Sequence, residues 1–226
     1  MQSENAGKMT DFDPLADPTA TVARLPHMRH APATTRNRGP IAAALAQVLP
    51  ATPCSVLEIA SGTGEHALWM ARSLPQVTWQ PSEATREGLA AIEDWRGLCP
   101  RLAGRVLPPV LLDAARPPWP GPAVDSIFTA NLTHIAPWAA TEGLINGAAA
   151  RLGQGGLLLI YGPFNENGSF TGPGNAAFDA DLRMRNSDWG LRHVEAINKL
   201  ALAQDFTIEP PGMMPADNRL LTYRRS

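Results

Sequence analysis

Apolar residues recur at helical spacing at Ile41, Ala44, Leu45, Val48 and Leu49, with Pro40 in a favourable first-turn position and Pro50 ending the run. This predicts a helix leading into a first strand. From Cys54 onward, short β-branched or leucine-rich runs alternate with helical patterns. Strands are expected near 55–60, 76–80, 106–112, 124–130 and 156–161, and helices near 64–74, 84–96 and 138–152, the last ending at Gly153 and Gly155-Gly156. After Tyr161 the pattern breaks into Gly162-Pro163-Phe164-Asn165-Glu166-Asn167-Gly168 and then Thr171-Gly172-Pro173-Gly174, which reads as a long lid or binding loop. Helices follow near 176–186 and 189–204, the second capped by Asp188, and 206–209 with 220–224 read as a closing pair of strands. The alternation argues an α/β fold with a parallel sheet covered by helices on both faces. Residues 1–22 carry no periodicity and are expected to be a flexible leader, leaving 23–226 as a single domain.

The most informative run is Val56-Leu57-Glu58-Ile59-Ala60-Ser61-Gly62-Thr63-Gly64-Glu65-His66, an apolar strand, an acidic residue and a glycine turn opening a helix. Glycines let the backbone approach a ligand closely, and the helix start points unpaired N–H groups at the same place. Gly62, Gly64 and Ala67 satisfy the G-x-G-x-x-G/A spacing of dinucleotide sites, so the glycines alone do not choose a cofactor. Glu58 tips the balance, because E-x-A-S-G-T-G resembles the first motif of class I S-adenosylmethionine (SAM) methyltransferases. A carboxylate there suits the ammonium and sulfonium charges of SAM and repels a pyrophosphate.

In a doubly wound sheet, ligands bind beyond the carboxyl ends of the strands at the switch in strand order. The second strand ends at Ser82-Glu83, where an acid can accept both ribose hydroxyls; a glutamate favoured by the helix dipole is the plainer reading. Asp113 ends the third strand and is placed to accept a hydrogen bond from an adenine amine; a turn-forming aspartate is the plainer reading. The fourth strand delivers Asn131-Leu132-Thr133-His134-Ile135-Ala136-Pro137-Trp138, and His134, with a reference pKa of about 6.5, is poised to act as a base or as an orienting group. His66 in the glycine-loop helix is a weaker candidate, and His27 and His30 precede the expected fold.

Composition narrows the field further. The formal net charge of -2 over 226 residues gives no electrostatic footprint for nucleic acid or an anionic membrane, so a small-molecule substrate is the simpler expectation. The two cysteines, Cys54 and Cys99, have no metal-ligand spacing and are expected to be reduced thiols; no metal is expected. With no membrane-spanning apolar run and a polar, acidic start, the chain is expected to be cytoplasmic.

Ser61-Gly62-Thr63-Gly64-Glu65-His66, Trp79-Gln80-Pro81-Ser82, His134-Ile135-Ala136-Pro137-Trp138 and Tyr161-Gly162-Pro163-Phe164 together resemble a specific group, the poorly characterised methyltransferase-like protein 26 family. The likeness runs from about Arg29 to Arg225 and takes in Arg36-Asn37, Asn175-Ala176-Ala177-Phe178-Asp179, Leu182-Arg183-x-Arg185 and Trp189-Gly190-x-Arg192. It implies a Rossmann-like class I fold, a mostly parallel seven-stranded sheet with an antiparallel last strand inserted between its neighbours. It also implies SAM as cofactor, held at Glu58, Ala60, Ser61, Gly62, Gly64, Ser82, Glu83, Asp113, Asn131 and Asn37. His134 and Tyr161 are the implied catalytic positions, and Arg29, Phe164, Asp179, Arg183 and Trp189 the implied substrate wall. Thr35, Glu83 and His193 depart from the family pattern, which has Glu, Asp and an acid there. A plainer reading competes on the wall, since Asp179 with Arg183 and Asp181 with Arg185 are i, i+4 helix pairs worth about 0.2–0.5 kcal/mol each, and Phe178 and Leu182 read as core.

The expected function is therefore methyl transfer from SAM to a small-molecule oxygen, nitrogen or sulfur. Two alternatives are a SAM-binding regulatory protein without transfer activity and an NAD-dependent oxidoreductase. The latter is opposed by Glu58 and by the absence of a Tyr-x-x-x-Lys pair.

Overall fold

A computed structural model describes residues 13–24 and 28–226. The first turn leads into α1 (Pro18–Arg24). Within the expected leader, 13–22 is structured: Leu15 is buried in the core, and the Thr21 hydroxyl donates to the carbonyls of Pro14 and Asp17. The polar composition there conceals one well-placed leucine. Residues 1–12 and His27 lie outside the described residues.

Helix α2 (Pro32–Val48) begins at Pro32, so Pro40 lies inside it instead of opening it. A proline interior to a helix removes one hydrogen bond. Ile41 and Leu45, just beyond it, are fully buried against the core, and their packing outweighs that loss. Next come β1 (Cys54–Glu58), α3 (Glu65–Ser73), β2 (Val77–Glu83) and α4 (Arg86–Leu98). Thr85 caps α4, its hydroxyl accepting the Gly88 N–H at 3.0 Å. The short β3 (Val110–Leu111) precedes β4 (Val124–Ala130) and α5 (Trp138–Arg151).

Strand β5 (Leu152–Glu166) is the longest, and it corrects the loop expected after Tyr161. It runs on through Phe164 and turns at Asn167-Gly168 into β6 (Ser169–Phe170), with Asn165 opposite Phe170. Helix α6 (Asn175–Arg185) and β7 (Arg192–His193) lead to α7 (Val194–Leu202). Asp188 does not cap α7, whose N-cap position is His193. The chain closes with β8 (Phe206–Ile208), β9 (Gly212–Met213) and β10 (Asn218–Arg225).

The main sheet order is β3-β2-β1-β4-β5-β10-β8, parallel from β3 to β5, with β10 antiparallel between β5 and β8. These are the seven strands expected; β6, β7 and β9 add short pairings at the rim. Both faces are covered, as a parallel sheet requires. Leu157, Leu159 and Tyr161 of β5 face a core shared with α2 and α3, while Leu158 and Ile160 face one shared with α5 and α7. The strand order reverses between β1 and β4, so their carboxyl ends open a crevice there. Among the described residues no helix is long and apolar enough to cross a membrane. Cys54 and Cys99 are free, and burial raises both thiols, Cys99 to about 11, which makes them poor nucleophiles.

Candidate cofactor and substrate site

The turn after β1 is built from three left-handed residues, Ala60 (φ 58°), Gly62 (φ 60°) and Gly64 (φ 86°). A side chain at Gly64 would also press on Ile92 of α4, its nearest atom 3.0 Å away, so glycine is required there twice over. Backbone and hydroxyl groups stitch the turn to β2: Ser61 N–H donates to the Ser82 carbonyl (2.8 Å), Ser82 N–H to Ser61 Oγ (3.1 Å), and Ser82 Oγ to the Glu58 carbonyl (2.6 Å). Ser82 is thus fully buried with its hydroxyl committed to the strand ends, which makes it a support of the turn and corrects its expected contact with a ligand. Glu83 accepts the Gly62 N–H at 2.9 Å and the Ala84 N–H at 3.0 Å. Ala60, left-handed without glycine's freedom, carries strain of about 1–2 kcal/mol. Ala60→Gly is expected to raise stability by about 1 kcal/mol in chemical denaturation, the gain being set against glycine's greater chain entropy.

Glu58 is 1% exposed, and its carboxylate accepts the Trp79 indole N–H at 2.9 Å. Burial pushes its pKa up to about 7; hydrogen bonds from Trp79 and Ser61 oppose the rise and the nearby Glu83 charge adds to it. On the far side of the turn a cleft of about 350 Å³ is lined by Ile59, Ala60, Asp113, Leu132, Ala136 and Ala140. Asp113 stands exposed at its rim, accepting the Ala115 N–H at 2.9 Å and lying 3.3 Å from Arg116. An apolar slot with one carboxylate at its edge is chemically suited to a flat heterocycle bearing an amine.

The segment leading into α2 packs against the start of α3. Buried Glu65 lies 2.7 Å from His30 Nδ1, and accepts the Ala31 N–H (2.9 Å) and the Thr63 hydroxyl (2.7 Å). Arg29 is exposed, while its carbonyl accepts the Trp95 indole N–H at 2.8 Å. His66 Nε2 lies 2.8 Å from Asn37 Oδ1, and burial raises the pKa of the Tyr161 phenol, a rise that Asn37 opposes. From the sequence, His66 and His30 are set aside as weaker candidates than His134, and Glu65 is given no role. The position of His66 and Glu65 directly after the glycine turn was the signal available.

At the end of β4, Asn131 is left-handed (φ 66°), a conformation asparagine tolerates, and its N–H donates to the Tyr161 carbonyl at 2.8 Å. His134 is 3% exposed, its Nδ1 has no hydrogen-bond partner among the described residues, and a side chain at Gly162 would approach that nitrogen to 3.4 Å. Burial, with a contribution from Arg192, pushes its pKa down to about 4, so the ring is neutral at pH 7 and far less basic than a poised base. Phe178, expected in the core, is 38% exposed and packs edge-on against this ring with centroids 5.6 Å apart; Leu182 is core as expected. His134 and Tyr161 are not brought together: the Tyr161 side chain faces the α2 and α3 side, whereas Gly162, next along β5, faces His134.

The expected substrate wall divides. Phe164 is 0% exposed and belongs to the α5 and α7 core, because β5 continues and puts it on the same face as Leu158 and Ile160. Asp179 accepts from Arg183 Nε and from the Leu191 N–H, each at 2.7 Å, and so clamps the chain after α6; these bonds hold its carboxyl below the usual range against the effect of burial. Arg183 is exposed beyond that pair, and Trp189 is half-buried beneath Arg185 (5.4 Å). Among the described residues no cluster of His, Cys, Asp or Glu is arranged to hold a metal ion.

Comparison with solved structures shows the same fold. The pyocyanin biosynthetic protein PhzM aligns with a TM-score of 0.71 at 17% identity over 94% of this chain and 61% of its own. An O-methyltransferase family protein from Burkholderia thailandensis aligns at 0.72 and 20%, again over 94% and 61%. Human N-acetylserotonin methyltransferase in complex with SAM aligns at 0.70 and 13%, over 86% and 53%. The chain spans less than two thirds of the length of each. A family model matches residues 28–225, nearly everything after the first helix, and the chain therefore belongs to the DUF938 family, described as proteins of unknown function.

Proposed function

We propose that this chain is a SAM-dependent methyltransferase acting on a small-molecule acceptor. The observation that carries the reading is the left-handed turn at Ala60, Gly62 and Gly64, with Glu83 hydrogen-bonded to it and Ala60 bordering the Asp113 cleft. The residues fit the group: the space above Gly62 is open, with nothing within 4 Å of where its Cβ would stand, Glu83 retains lone pairs for ribose hydroxyls, and buried Glu58 places a latent negative charge beneath the turn. The methyltransferases of the same fold support the reading.

When bound, SAM supplies an electrophilic methyl on a sulfonium. Transfer is an in-line displacement in which positioning contributes much of the rate, about 7–11 kcal/mol in favourable cases. Asn131 and His134 at the end of β4, with Phe178 over the imidazole, are the residues we assign to orienting the acceptor. A neutral His134 accepts a hydrogen bond from the acceptor, and its low basicity suits orientation better than full proton abstraction.

Calorimetric titration with SAM, S-adenosylhomocysteine and NAD in parallel tests the cofactor. Micromolar binding of the two adenosyl ligands alone is expected; binding of NAD alone, or of none, would overturn the reading.

A pH series tests Glu58 within it. Its carboxyl is raised from 4.5 to about 7, so it contributes stability present below pH 4.5 and lost as the pH rises through 7. The ammonium group of the ligand's amino-acid end favours the carboxylate, so binding expels a proton below pH 7. Affinity for S-adenosylhomocysteine is expected to rise about fivefold from about pH 6 to about pH 7 and then level off, whereas Glu58→Gln flattens the profile and weakens binding.

A further inference from the structure

The tip of the glycine turn is held by a buried side chain that is anchored elsewhere. Gly62 and Gly64, on either side of Thr63, are both left-handed, and glycine restrains its backbone least of all residues. The Gly62 N–H is fixed by Glu83, and the Gly64 N–H donates to the Ser61 carbonyl at 3.0 Å. Between them the Thr63 hydroxyl donates to Glu65 Oε2 at 2.7 Å, its one side-chain bond among the described residues.

Glu65 is 0% exposed, and its other partners lie outside the turn. The same Oε2 accepts the Ala31 N–H at 2.9 Å, and Oε1 lies 2.7 Å from His30 Nδ1, residues 34 and 35 positions earlier in the chain. Ala31 stands at the N-cap of α2, so the contact reaches the start of that helix. From the other side Trp95 of α4 holds the Arg29 carbonyl. A buried polar group is costly to leave without its partners. Withdrawing residues 30 and 31 would leave the carboxyl with Thr63 alone, and displacing the tip would remove Thr63 from it. The order of each segment therefore supports the order of the other.

We propose that Glu65 is a positioning residue that ties the tip of the glycine turn to His30 and Ala31, so that cofactor binding at the turn and docking of residues 30 and 31 favour each other. Such coupling is reciprocal. That the ligand is an adenosyl compound rests on the SAM reading above; the tie does not. Glu65 acts through Thr63 and needs no contact with the ligand.

Amide hydrogen exchange tests the tie without a ligand. Glu65→Ala is expected to speed exchange at Ala31 at least about tenfold, the loss of one charge-assisted hydrogen bond. Glu65→Gln, whose carbonyl oxygen can accept Thr63 and Ala31 as Oε2 does, is expected to stay within about threefold of wild type. Unchanged exchange at Ala31 in Glu65→Ala overturns the tie. Calorimetry with S-adenosylhomocysteine tests the coupling. Thr63→Val, which removes the hydroxyl and keeps the shape, is expected to weaken binding at least about fivefold, and Thr63→Ser to remain within about twofold of wild type. At saturating S-adenosylhomocysteine, exchange at Ala31 is expected to slow at least about fivefold in wild type and to change little in Thr63→Val, whereas a general gain in stability would slow both. Equal slowing in the two proteins, or full affinity in Thr63→Val, overturns the coupling. The Thr63 variants leave the buried carboxyl with its other two partners and decide the matter if Glu65→Ala does not fold. Wild-type protein that shows the tie but does not bind S-adenosylhomocysteine refutes the cofactor reading, and the coupling with it.

Discussion

Replacing Glu83 by alanine is expected to weaken binding of S-adenosylhomocysteine about a hundredfold. The carboxylate ends β2 beside the glycine turn and accepts one backbone N–H on each oxygen, from Gly62 and Ala84. A carboxylate has about four lone-pair sites, so two remain for a pair of ribose hydroxyls. Charge-assisted bonds of that kind are worth about 1.5 kcal/mol each, and two make about 3 kcal/mol, or about a hundredfold. Gly88 makes room for the arrangement, since a Cβ there would lie 2.8 Å from Glu83 Cγ. Glu83→Asp keeps the charge and is expected to retain most of the affinity. Calorimetry decides, and an alanine variant within about threefold of wild type would remove Glu83 from the site.

The second large effect is on stability. Gly143 lies in α5 where the helix backbone meets the backbone after β3: an added Cβ would collide with the Ala114 carbonyl oxygen and stand 2.8 Å from Ala115 Cα. One turn on, a Cβ at Gly147 would enter the Trp119 indole. At Gly143 no flexible side chain can swing aside, so the helix and the 113–119 segment must separate. Gly143→Ala is expected to cost about 3 kcal/mol, the upper end for overpacking, although alanine is the better helix former by about 1 kcal/mol. For a chain of this size that lowers Tm by about 6–12 °C. Because the displaced segment begins at Asp113 on the cleft rim, ligand affinity is expected to fall as well. A neutral or stabilised variant in denaturant unfolding would show that the close approach relaxes without strain.

What could be read from the sequence was local. The glycine turn, the acid ending β2 and the span of β4 each rest on a few adjacent residues, and the structure places them as expected. The limits of α2 were misread because Pro40 looks like a start signal, and only the burial of Ile41 and Leu45 explains how the helix runs through it. Phe164 was assigned to a loop because Gly162-Pro163 reads as a break, yet the two-residue alternation of β5, carried four residues further from Ile160, puts it in the core. His134 looked poised because its reference pKa is near neutral, and its burial is a property of the packed fold. The His66 to Asn37 and Glu65 to His30 contacts join residues far apart in sequence, and no local pattern encodes them.

The length of β5 gives the molecule one rigid wall. Its ladder is paired with β4 on one edge and β10 on the other, and its outer end is pinned by β6 and β7 at Phe164 to Glu166. That wall is the sheet itself and cannot swing without unzipping backbone hydrogen bonds. The wall across from it is joined by side-chain contacts, Glu65 to His30 and Ala31, Asn37 to His66, and Trp95 to the Arg29 carbonyl. Each of these is a single bond that breaks and reforms without disturbing a ladder. The two walls thus differ in kind, one a hydrogen-bonded ladder and the other a set of side-chain contacts between segments far apart in sequence.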